Sequence, residues 1–103
     1  MNGQELKEQG QDLALEHAGQ DWQQQALEYL QQYVAIKRAE PFAIEDFRAF
    51  AVTRGLPQPA THKAWGAFPR LAVKRGLIRS TETYRKARSP RTHAHPVLLW
   101  VAA

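Results

Sequence analysis

A mainly helical α+β domain is predicted by three features of this sequence. Apolar residues recur at helical spacing in three stretches between residues 22 and 76, two short β-prone stretches follow, and glycine or proline stands near each junction. A length of 103 residues suffices for one core and little more. The chain has no cysteine, which removes disulfides, thiolate metal sites and cysteine nucleophiles and suits a reducing cytoplasm. No N-terminal apolar run resembles a signal peptide and no segment is long enough to cross a membrane, so a cytoplasmic location is expected.

Residues 1–20 are polar and rich in glutamine, with Leu6, Leu13 and Leu15 as the only large apolar side chains before His17. A helix over residues 4–18, weakened by Gly10 and broken at Gly19, would need a packing partner to persist. This stretch is therefore set apart as an interaction or homodimerisation segment from a main domain over residues 21–103.

Asp21, with Gln24 three residues on, reads as an N-cap and capping box. The following helix, over residues 22–38, places Trp22, Ala26, Tyr29, Leu30 and Tyr33 in one stripe, a core rather than a binding platform. Pro41 ends it, and Phe42 and Ala43 make a short extended piece. A helix over residues 44–54 has Glu45 and Asp46 at its positive end, Phe47, Phe50 and Ala51 inward, and Gly55 as its stop. Leu56, Pro57, Gln58, Pro59 and Ala60 form a stiff turn into the next element.

That element, THKAWGAFPRLAVKRG over residues 61–76, organises the chain. On a helix, Trp65, Phe68 and Ala72 fall on one side, while Lys63, Ala67, Arg70 and Lys74 line the other. Gly66 and Ala67 keep the middle of the cationic side small, so a duplex groove could approach the backbone while flanking cations hold phosphates. Amphipathic cationic helices also occur as ordinary surface helices. Pro69 either kinks this helix near Gly66, the favoured reading, or starts a separate shorter helix.

After Gly76 the pattern turns to a strand over about residues 77–84, then Arg85, Lys86, Arg88 and Arg91 around Ser89 and Pro90, then a second strand over about residues 96–101. Helix, turn, basic helix and a hairpin with a cationic loop define a winged helix-turn-helix. The expected fold is thus α+β, mainly α, a winged helix-turn-helix with an extra N-terminal helix and a C-terminal two-stranded wing. Charge distribution agrees with a polyanionic partner. Residues 1–47 hold three Lys or Arg against nine Asp or Glu, and residues 48–103 hold eleven against one. The alternative is that the two halves attract each other within one domain.

AWGA in the basic helix, KRGLI before the first strand, a tyrosine with a basic run, and HAHPVLLW at the end resemble small winged-helix proteins of tailed phages and prophages. The shared features fall on Trp65 and Gly66, on Gly76, Leu77 and Ile78, and on His93 with Trp100, and the resemblance spans about residues 20–102. Pro69 departs from the uninterrupted helix of that group. The resemblance implies a winged-helix fold and double-stranded DNA as partner, in transcriptional regulation or DNA replication.

From the helix, His62, Lys63, Ala67, Arg70 and Lys74 are the candidate DNA-binding residues; from the wing, Arg85, Lys86, Arg88, Arg91 and His93. A three-histidine metal site from His62, His93 and His95 lacks supporting cysteine or acid, the two serines lack a His and Asp pairing, and the basic half offers only Glu82 for nuclease metals. Neither an enzyme nor a cofactor is expected. The competing expectation is an adaptor that binds a host replication or transcription protein.

Overall fold

The computed structural model describes residues 19–88 and 95–103. Over these residues the chain is a small, mainly helical α+β fold of three helices and one two-stranded antiparallel sheet. In order the elements are α1 (Gln20–Lys37), α2 (Ile44–Thr53), α3 (Lys63–Lys74), β1 (Ile78–Lys86) and β2 (Pro96–Ala102). The expected helix over residues 4–18 and its role in pairing lie outside the described residues. Among the described residues no helix is long and apolar enough to cross a membrane.

The first turn of α1 corrects the expected cap. Gly19, at φ 90°, is the N-cap, and its carbonyl accepts the first helical hydrogen bond from Gln23 at 3.2 Å. Positive φ is open to glycine at little cost, so the helix starts one residue before Asp21, whose carboxylate then sits in the first turn near the positive end of the dipole. Gln24 instead donates from Nε2 to Glu28 Oε1 at 3.2 Å, one turn further on. The inward stripe is Trp22, Ala26, Leu27, Leu30 and Tyr33. Tyr29, half-buried at its edge, reaches across to donate from its hydroxyl to the Arg54 carbonyl at 2.9 Å.

The extended piece after α1 has a structural task. Phe42 and Trp100 exchange backbone hydrogen bonds at 2.9 and 2.8 Å, an antiparallel bridge that ties the α1–α2 connection to β2. Just beyond it the Asp46 carboxylate accepts from the Ala43 N–H at 3.1 Å, closing the start of α2. Two of the three tryptophans then secure the turn before α3. Trp22 Nε1 donates to the Pro57 carbonyl at 2.9 Å, and Trp65 Nε1 to Gln58 Oε1 at 3.4 Å.

One continuous helix of 12 residues runs through Pro69, so the chain does not split there. Pro69 is itself buried, and its ring serves the core at the position where it removes a backbone donor. The three helices close over an aromatic centre. Phe47 stacks on Phe68, with centroids 5.5 Å apart and 13° between planes, and Trp22 meets Trp65 edge-on at 5.2 Å. Tyr33 joins Phe42 at 5.0 Å and Phe50 at 4.9 Å. Trp22 and Tyr33 of the aromatic stripe of α1 are thus core, as their spacing predicts, while Tyr29 packs at its edge.

The hairpin is longer than predicted and irregular. Ser80 pairs with Trp100 and Tyr84 with Leu98, so four steps along β1 match two along β2. The surplus is absorbed at Glu82, at φ 60°, where Ser80 Oγ accepts from the Glu82 N–H and Thr81 Oγ1 donates to the Leu99 carbonyl, both at 2.9 Å. Hydroxyl side chains replace the ladder bonds that the bulge interrupts. Because the surplus is even, side chains keep the same faces on either side of it, while the added twist turns the far end of β1.

Candidate nucleic-acid interface

Burial decides which side of α3 remains available. The core takes Ala64, Trp65, Ala67, Phe68, Pro69 and Ala72. That is an arc of about 200° around the helix axis, wider than the three-residue stripe read from the sequence. The remaining arc carries Val73, Gly66, Arg70, Lys63 and Lys74 in angular order, all exposed except Arg70, which is half-buried. No acidic residue occurs in the helix. His62, at the N-cap position, is exposed beside this arc.

Ala67 is a correction. It was expected among the cations, but it is 1% exposed and belongs to the core. Its position lies only about 20° beyond Lys74, where a short side chain is covered by neighbouring elements. The small gap in the cationic surface is therefore Gly66 alone. Around it no heavy atom stands within 4 Å of the place a Cβ would take. Val73, seven residues on and 44% exposed, shares that face and was missed. The i, i+7 spacing from Gly66 is the signal that could have placed it there.

The expected wing cations divide into distinct groups. Arg85 is the second correction: its guanidinium is held by Glu45 Oε1 at 2.9 Å and Asp46 Oδ2 at 2.7 Å. With its charge already answered by the two acids of the first turn of α2, Arg85 braces the hairpin and does not present itself to a ligand. Arg88 is 77% exposed at its side chain, yet its backbone N–H donates to Glu45 Oε1 at 2.8 Å and its guanidinium lies 3.7 Å from Asp46. Lys86 is exposed. Arg91 and His93 lie outside the described residues. Part of the charge asymmetry in the sequence is thus attraction inside one domain.

This brace also gives Asp46 its acidity. Burial works to raise its pKa, but the Ala43 N–H and the guanidinium groups of Arg85 and Arg88 outweigh it and hold the carboxyl below its ordinary 3.8. A carboxyl that is more acidic in the folded chain adds stability above its ordinary pKa, and that stability disappears as pH falls through the lower folded value. Asp46→Asn is therefore expected to cost about 1–3 kcal/mol at neutral pH, with the gap to the parent chain closing below about pH 4. Urea unfolding of both chains across pH measures this. A gap that persists undiminished in acid would contradict the assignment.

A groove of about 610 Å³ opens beside the same brace, lined by Glu45, Asp46, Arg48, Ala49, Val52 and Gln58 among others. Arg48 lies over the Trp65 ring at 5.4 Å, which places a further cation between α2 and α3. Among the described residues no group of three His, Cys, Asp or Glu side chains could hold a metal ion. What the surface offers is an exposed cationic helix face with a backbone-level gap in it. Comparison of the chain with protein-family models, with curated proteins and with solved structures finds no significant match.

Proposed function

We propose that the chain is a winged helix-turn-helix DNA-binding protein of the kind tailed phages and prophages encode, acting in transcription control or replication. One observation carries this reading: α3 turns Ala64, Trp65, Ala67, Phe68, Pro69 and Ala72 into the core and leaves Lys63, Arg70 and Lys74, with Gly66 and Val73, on the other side. Lysine and arginine flanking a gap where the backbone is bare suit a helix lying in the major groove, with cations on the phosphates. The order helix, bridging residue, helix, turn, basic helix, hairpin supports it further, since the hairpin follows the basic helix directly as a wing would. In this reading Lys86 and Arg88 meet the phosphate backbone from the wing. With few side chains suited to reading bases, affinity would come largely from phosphates.

The test is binding to a random-sequence duplex across a salt series, which should weaken with a log-log slope of about −0.9 for each phosphate neutralised. Affinity independent of salt, or none, would favour an adaptor that docks on a protein.

Gly66→Ala makes a second prediction. In an exposed helix interior with open space around the new methyl group, the substitution should stabilise the fold by about 0.5–1 kcal/mol. If the gap admits a groove edge, the same variant binds duplex more weakly. Thermal melting and duplex titration on one sample check both; a stabilised variant with unchanged affinity would remove Gly66 from the interface.

A further inference from the structure

We propose that Val73 reads thymine: in the major groove its methyl groups meet the C5-methyl of a thymine and give the domain a preference for A·T-rich duplex. This deepens the DNA-binding reading and rests on it. Among the described residues the large hydrophobic side chains left exposed are Ile36, Val73 and Tyr84, and of these Val73 alone stands on α3. Single apolar residues are ordinary on a protein surface. What distinguishes this one is its company.

The apolar residues near it in the chain go inward. Leu71 and Leu77 pack against the core and Ala72 is fully buried, while Val73 is 44% exposed. Its direction on the helix is about 20° from Gly66 and about 60° from Arg70, within the same exposed arc as the lysines. Lys63 and Lys74 form the other border of that arc, about 80–100° away. A valine on the open face of a helix serves folding poorly, because a β-branched side chain loses rotamer freedom there and alanine or lysine does better.

Chemistry then selects the group that Val73 meets. Valine neither donates nor accepts, so against most base edges it would cover a hydrogen-bonding group and leave it unanswered. Among the four unmodified bases, thymine alone presents an apolar group in the major groove, its C5-methyl. Reach is the remaining condition, because valine extends only one bond past Cβ. Gly66 meets it: no heavy atom stands within 4 Å of the place its Cβ would take, so the helix can close on the bases along the side that Val73 shares. The lysines at the far border hold phosphates, and Val73 is left to the bases.

The contact is worth about fourfold in affinity, taking the value of one methyl-sized group removed from water. That is a bias in base composition rather than recognition of a single site.

The experiment titrates the full parent chain and Val73→Ala, at one fixed salt concentration, with two duplexes of alternating dA and dT, one of them carrying uracil in place of thymine. Uracil lacks only the C5-methyl and keeps the same pairing with adenine. The parent is expected to bind the thymine duplex about fourfold more tightly than the uracil duplex, and Val73→Ala to show a difference below about twofold. The variant should keep its fold, since alanine is the better helix former at an exposed position, and circular dichroism checks this. Equal affinity of the parent for both duplexes overturns the thymine contact and leaves the DNA reading standing, because both duplexes are still bound. A thymine preference that Val73→Ala retains in full overturns the assignment to Val73. Binding of neither duplex by the parent overturns the DNA reading and the thymine contact with it.

Discussion

Phe47→Ala is expected to cost about 3–5 kcal/mol, a large part of the roughly 5–15 kcal/mol that holds a domain of this size folded. Phe47 is fully buried, stacked on Phe68 and in ring contact with Trp65 at 6.2 Å and Tyr33 at 5.7 Å. It is the point at which α2 meets both α1 and α3. Truncation loses the transfer free energy of the ring and leaves a cavity among aromatic side chains that cannot collapse without moving a helix. Urea unfolding followed by circular dichroism should show a much lower midpoint at an unchanged denaturant slope. A loss below about 1 kcal/mol would mean that the three helices do not meet at this residue.

The second large effect is on binding. Lys63→Glu with Lys74→Glu should weaken duplex binding about a hundredfold, taking about tenfold for each reversed charge, and flatten the salt slope by about 2. These two lysines are cleaner probes than Arg70, which is half-buried, or Arg85, which braces the hairpin. Both are exposed and lie off the apolar face of α3, so stability should stay within about 0.5 kcal/mol of the parent chain. A loss of binding without a loss of fold is therefore the expected pattern.

Periodicity and punctuation made the elements legible. The stripes of α1 and α2, the stop near Gly55 and the change to strands after Gly76 all follow from local rules that act within a few residues. The extended character of Phe42 could be read from Pro41, whereas its bridge to Trp100 could not, because the partner is far along the chain.

The misreadings share that cause. Asp21 has the side chain of a cap, but the preceding Gly19 can take a positive φ and starts the helix earlier. Ala67 lies among cations on a helical wheel, yet a wheel gives direction and not the width of the arc that neighbouring elements cover. Arg85 sits in a basic run that reads as one cationic loop. Its partners Glu45 and Asp46 are 40 and 39 residues away, and only the folded chain shows that they claim it. At Glu82 the bulge leaves no pattern in hydrophobic spacing, because the residues around it are hydroxylic and polar on both faces.

The central claim is that the exposed side of α3 binds duplex DNA. Its most direct test is titration of a labelled random-sequence duplex with the parent chain and with the Lys63→Glu, Lys74→Glu chain, side by side over a range of salt concentrations. The predicted result is salt-sensitive binding by the parent, about a hundredfold weaker in the variant at low salt, with the same circular dichroism from both chains. Equal affinity of the two folded chains, or no binding by the parent, would contradict it.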